Sequence, residues 1–151
     1  MAKRRPPSVN GFVVIDKPAG MTSHDVVAKL RKRFNEKRVG HAGTLDPDAT
    51  GVLLVGVGYV TRLMTYLSGM SKSYVGEVVL GSTTTTLDDS GETTATFDMS
   101  AVTLADVEEA ASRFVGEIEQ IPPMVSALKV DGKRLHELAR EGIEEIGRAH
   151  V

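Results

Sequence analysis

The chain has 151 residues, enough for one domain with a real core. It has no cysteine, which excludes disulfides, thiolate chemistry and a cysteine-type zinc site. Net charge is −2, yet residues 1–41 carry ten Lys/Arg against three Asp/Glu, and residues 42–151 carry eight against seventeen. A basic first third is the electrostatic footprint of a polyanion partner; a solvated helix face with a basic tail is the plainer reading.

Residues 1–10 form a basic tail with no apolar stretch behind it, so they do not read as a secretory signal. No apolar run reaches membrane-spanning length, and a cytoplasmic location is expected. Phe12–Ile15 reads as a short buried strand. Thr22 and Asp25 stand at capping-box spacing. Val26, Val27, Leu30 and Phe34 then repeat at helical spacing, with Lys29, Arg31, Lys32 and Arg33 crowding the remaining surface.

Gly40-His41-Ala42-Gly43-Thr44-Leu45-Asp46-Pro47-Asp48-Ala49-Thr50-Gly51 follows. Its glycines allow close approach of backbone to a ligand. Pro47 biases Asp46 toward an extended conformation that presents its carboxylate. The bland alternative is an ordinary turn. Asp48 reads as a solvated loop aspartate rather than half of an acid–base pair. Gly51–Gly58 is glycine-rich but lacks the Gly-Lys-Ser/Thr of a P-loop, and no Rossmann fingerprint occurs. His24, His41, His136 and His150 lack metal-binding spacing, and no metal is expected.

Val52–Val55 reads as a buried strand, Thr61–Leu67 as a short helix, and Tyr74–Leu80 as an alternating strand. Ser82–Glu92 is polar, with a turn signal at Asp89-Ser90-Gly91, and Thr93–Phe97 is expected to return as the partner strand. Thr103 and Asp106 open an amphipathic helix through Val107, Ala110, Ala111 and Phe114, ending before Gly116. Val125–Val130 reads as a strand, Asp131-Gly132 as a tight turn, and Leu135, Leu138 and Ala139 as one face of a helix that Gly142 could end. Without regular βαβ alternation the expected class is α+β, a mixed and largely antiparallel sheet flanked by helices.

Four stretches, taken in order, resemble the TruB family of tRNA pseudouridine-55 synthases. They are Lys17-Pro18-Ala19-Gly20-Met21-Thr22-Ser23, the Gly40–Gly51 segment, Lys72-Ser73-Tyr74, and Pro122-Pro123-Met124-Val125-Ser126-Ala127-Leu128-Lys129. The resemblance runs from about Gly11 to Ile143. It implies the N-terminal portion of a pseudouridine synthase-like catalytic domain over residues 11–144 and isomerisation of uridine to pseudouridine in the T loop of tRNA. The N1–C1′ bond breaks and the base rejoins through C5, with no cofactor. Asp46 matches the catalytic aspartate. Whether it attacks C1′, adds to C6 or removes a 2′ proton stays open, though carboxylates do comparable work in glycosidases.

By the same resemblance His41 lies against the RNA where the base is extracted, and Tyr74 stacks on the flipped base. Lys17, Pro18, Gly43 and Leu45 support the catalytic loop. Lys129 and Ser126-Ala127 help shape the pocket floor. Charge alone marks Arg31, Lys32, Arg33 and Arg38 as phosphate contacts. The partner is tRNA, and a monomer is expected. The Gly-His-Ala-Gly-Thr-Leu-Asp-Pro form also fits guide-RNA-dependent relatives, but the compact start at Gly11 favours the stand-alone bacterial type. A non-catalytic RNA-binding or RNA-folding module is the alternative from another class.

Family members continue further, into a strand whose arginine pairs with the catalytic aspartate and a small RNA-binding domain. Here the likeness stops near Glu144. Glu145–Val151 can be encoded by GAG ATC GGA AGA GCA CAC GTC, which matches a common sequencing-library adapter. Residues 145–151 are therefore expected to be a non-native tail on a truncated frame, and this chain alone is expected to be inactive.

Overall fold

The computed structural model describes residues 5–120, 129–130, 133–134 and 149–150. They fall into two compact units, residues 1–75 and 76–151. The first begins with β1 (Gly11–Lys17) and α1 (Ser23–Phe34). Next come β2 (Val39–His41) and β3 (Gly51–Val57), a 3-10 turn over Gly58–Leu63, and α2 (Met64–Ser68). β3 is the central strand, antiparallel to β1 from Gly11↔Val57 to Lys17↔Gly51 and to β2 from Val39↔Val57 to His41↔Val55.

The alternation of β1 and β3 sets the core. Val13, Ile15, Leu53, Val55 and Val57 face α1, whose Val26, Val27, Leu30 and Phe34 cover them. The opposite face is not buried: Phe12 and Val14 are 46% and 67% exposed. The expected buried strand at Phe12–Ile15 is thus a half-buried one. Its four residues follow period two, and Phe12 and Val14 point to the face away from α1. β2 was not anticipated, because three residues with a glycine in the middle carry too little pattern. Its Gly40 stands opposite Gly56. A Cβ on Gly56 would come within 3.0 Å of the Met64 ε-carbon, so the glycine lets α2 dock on the sheet.

Thr22 caps α1 with the expected capping box. Its hydroxyl accepts from the Asp25 N–H, and the Asp25 carboxylate accepts from the Thr22 N–H at 2.9 Å. Asn35 ends the helix in the left-handed conformation, donating to the carbonyls of Arg31 and Lys32. The Thr22 hydroxyl, and then the Thr22 N–H, hold the Asp25 carboxyl below its ordinary value of 3.8. A carboxylate depressed in the folded state adds stability above its unfolded value and loses it as pH falls through the folded one. Asp25→Ala is therefore expected to destabilise at neutral pH. In circular-dichroism melts it should converge on the parent as pH falls below that lowered value.

The second unit holds a hairpin of β4 (Ser82–Thr84) and β5 (Thr93–Thr96), then α3 (Leu104–Ser112). Asp88 organises the hairpin loop, accepting from the Thr86 hydroxyl and from the Ser90 N–H and hydroxyl. Thr103 and Asp106 cap α3 with the second expected capping box. The helix ends at Ser112, short of the expected Phe114, which is 72% exposed, and no residue of α3 is buried.

Tyr74–Leu80 is not a strand. Alternation makes a strand only when a neighbour completes its hydrogen bonds. Among the described residues none does, and β5 pairs with β4 instead. β6 (Glu119–Gln120) pairs with β9 (Ala149–His150), and β7 (Lys129–Val130) with β8 (Lys133–Arg134). The β7–β8 pair brackets the expected turn, but that turn, residues 121–128 and the helix through Leu138 lie outside the described residues. So does the 144/145 boundary. Every described strand pair is antiparallel, which agrees with the α+β expectation.

A clamped aspartate loop as the candidate active site

The loop between β2 and β3 carries Asp46, and the backbone on each side of that residue is fastened to buried side chains. Before it, Leu45 is gripped by Ser23, the first residue of α1 and 1% exposed. The Ser23 hydroxyl accepts from the Leu45 N–H at 2.9 Å and donates to the Leu45 carbonyl at 3.2 Å. The Leu45 side chain packs against the core beside α1. After it, the Pro47 carbonyl accepts from the Lys17 ammonium at 3.0 Å and from the Met21 N–H at 3.4 Å.

Lys17 is fully buried, and among the described residues its ammonium has no carboxylate partner. Its three protons go to the carbonyls of Pro18 at 3.1 Å, Met21 at 2.6 Å and Pro47. A buried cation persists only when its donors are satisfied, and here all three are. Lys17 reaches the loop through the Pro47 carbonyl, and the Pro18 carbonyl accepts from the same ammonium.

The Asp46 carboxylate is exposed, and among the described residues it forms no hydrogen bond or ion pair. Its own carbonyl accepts from Ala49, which tightens the turn after it. The backbone is thus fastened on either side of Asp46, while the acid itself has no hydrogen-bond partner among the described residues. Gly43 has φ of +127°, a conformation that an L side chain resists.

A cavity of about 200 Å³ opens beside the loop. Its lining includes Gly43, Thr44 and Leu45 of the loop together with Leu67, Met70 and Tyr74. Tyr74 is 70% exposed. The structure therefore brings Tyr74 to the motif loop, whereas Asp46 and His41 lie outside the cavity lining.

His41 ends β2, half-buried, and its ring meets that of His24 edge-to-face at 5.4 Å. Its Nδ1 is buried, without a hydrogen-bond partner among the described residues. The basic residues are placed elsewhere. Arg31, Lys32 and Arg33 occupy the last turn of α1, whereas Ser23 at the first turn holds the Asp46 loop. At 1.5 Å per residue that is roughly 13 Å along the helix. Arg31 donates to the Val39 carbonyl, and Arg38 lies 5.4 Å over the Tyr59 ring. Lys32 and Arg33 are exposed.

Ser23 was not singled out from sequence. Its signals are its place as the last residue of the family-like Lys17–Ser23 stretch and its position directly after a capping threonine, where a second hydroxyl has no capping work. Ser23→Ala is expected to leave both polar groups of Leu45 unpaired, destabilising by about 1–3 kcal/mol in urea titrations.

Among the described residues, no helix is long and apolar enough to cross a membrane, and no His, Cys, Asp or Glu cluster could hold a metal ion.

The comparisons agree with one another. Residues 31–150 match the family model described as TruB family pseudouridylate synthase (N terminal domain). tRNA pseudouridine synthase B of Streptococcus thermophilus is 51% identical over 140 residues, 93% of this chain and 47% of the relative. That of Symbiobacterium thermophilum is 54% identical over 136 residues, 90% of this chain and 46% of the relative. The chain thus spans about half the length of these curated relatives. A chain in the crystal structure of a Cbf5-Nop10-Gar1 complex is 31% identical, with a TM-score of 0.52. The match covers 79% of this chain and 31% of that one.

Proposed function

The chain belongs to the TruB family of pseudouridylate synthases, and from that premise we propose that its protein converts uridine to pseudouridine in the T loop of tRNA, at position 55. The observation that carries this reading is the loop geometry. Asp46 is held by its backbone on both sides, through Ser23 and Lys17, while its carboxylate stays uncommitted. An acid meant for structure would be consumed by its neighbours. This one is available to a substrate.

Asp46 is the carboxylate that acts on the flipped uridine. The N1–C1′ bond breaks, the uracil turns, and a C5–C1′ bond forms. The C5 proton leaves and N1 takes one up, so atoms and charge balance without a redox partner. Tyr74 supplies an aromatic face in the cavity lining, and His41 lies against the RNA where the base leaves its stack. Lys32 and Arg33 offer exposed cations for phosphates, with Arg31 and Arg38 beside them. Only the fastening of the loop is left to Lys17, Pro18, Gly43 and Leu45. The protein works as a monomer in the cytoplasm on tRNA.

The test is release of tritium from tRNA carrying C5-tritiated uridine. Release that requires Asp46 supports the proposal. Retained, salt-sensitive tRNA binding without release from any form of the protein would favour the non-catalytic RNA-binding module instead.

A further inference from the structure

The chain from Lys17 to His24 meets the motif loop at several points. Lys17 and Met21 hold the Pro47 carbonyl, and Ser23 holds both backbone groups of Leu45. The next residue, His24, takes no part in these bonds. Its ring meets that of His41 edge-to-face, with centroids 5.4 Å apart and planes at 84°. At that separation the positive edge of one ring is attracted to the face of the other. His24 is exposed, so core packing does not account for where its side chain lies.

His41 is a residue that needs such a neighbour. Its backbone is fixed by the β2–β3 register, His41 opposite Val55, and by the Ala42 N–H bonded to the Leu54 carbonyl at 2.9 Å. Its side chain is not fixed in that way: among the described residues no hydrogen bond holds the ring, and Nδ1 is buried without a partner. Where an imidazole must be aimed, a hydrogen bond to Nδ1 commonly does it. Here the contact with His24 is the directional restraint in that place. Ser23 and His24 are consecutive in the first turn of α1, whose backbone the Thr22–Asp25 capping box fixes. One mount therefore carries both the grip on the Asp46 loop and the contact with His41.

We propose that His24 is a positioning residue: it aims the His41 ring and keeps it in a set relation to the Asp46 loop, so that a base leaving its stack is delivered to the carboxylate. This rests on the proposed function of His41 and Asp46. His24 touches no reacting atom in this scheme and acts through His41.

The test compares His24→Ala and His24→Phe with the parent. Alanine removes the ring, and phenylalanine keeps one against His41. In single-turnover tritium release His24→Ala is expected to be slower by about fivefold or more, with tRNA affinity within about twofold, and His24→Phe to recover most of the loss. In parallel, three-bond couplings across the His41 χ1 bond should report one rotamer in the parent and in His24→Phe, and averaging over rotamers in His24→Ala. A single His41 rotamer in His24→Ala would overturn the proposal. So would unchanged release, or weaker tRNA binding at an unchanged rate, which marks His24 as an RNA contact. If the parent releases no tritium, the proposed function fails, and the couplings still decide whether His24 aims His41.

Discussion

Asp46→Asn is expected to lower the isomerisation rate by on the order of 10⁴-fold or more, with tRNA affinity unchanged within about twofold. The size follows from chemistry, because an amide can neither attack a sugar carbon nor take a proton as a carboxylate does. The specificity follows from structure. Both fastenings of the loop, Ser23 to Leu45 and Lys17 to Pro47, run through backbone groups of its neighbours. The exposed Asp46 side chain takes part in neither, so asparagine should leave the fold as it was. Single-turnover tritium release gives the rate and filter binding the affinity. Asp48→Asn in the same assays should leave both unchanged, since Asp48 lies beyond Pro47 on an exposed turn. Asp46→Asn activity within tenfold of the parent would remove Asp46 from the chemistry. A parallel loss of binding would make it an RNA contact instead.

What sequence revealed, and what it hid, divides by the range of the interaction. Thr22 with Asp25 and Thr103 with Asp106 were legible because each capping box closes within three residues. The core face of α1 was legible for a similar reason: its period of 3.6 is written along one helix. Tyr74–Leu80 has the period of a strand, yet a strand exists only with a neighbour, and neighbours are not a local property. β2 failed in the other direction, since three residues become a strand only because β3 lies beside them. Asp46 drew attention through its glycine-rich surroundings and its resemblance to a catalytic motif. Its fastenings were hidden, because Ser23 and Leu45 are 22 residues apart and Lys17 and Pro47 are 30 apart. The motifs at Lys17–Ser23 and Gly40–Gly51 are separate in sequence and one device in space.

That device rests most heavily on Lys17. Lys17→Met is expected to destabilise the protein by about 3 kcal/mol or more, read as a lower urea midpoint at unchanged slope. Methionine fills a similar volume, so little cavity opens. The loss comes instead from the Pro18 and Met21 carbonyls, which lose their donor, and from Pro47, whose carbonyl keeps only the longer bond from the Met21 N–H. Desolvated acceptors left unpaired penalise the fold by roughly 1–3 kcal/mol each, and water entering the site would relieve part of it. Lys17→Arg should rescue poorly: a planar guanidinium cannot match an ammonium's three divergent donors, and its bulk overpacks a fully buried site. Activity should fall further than stability explains, since the Pro47 carbonyl is one residue from Asp46 and swings with it. Comparing kcat under conditions where both proteins stay folded separates the two effects. Full kcat in folded Lys17→Met would mean that Ser23 and Met21 position the loop without the lysine. A lowered kcat there would identify the buried ammonium as the piece that aims the carboxylate.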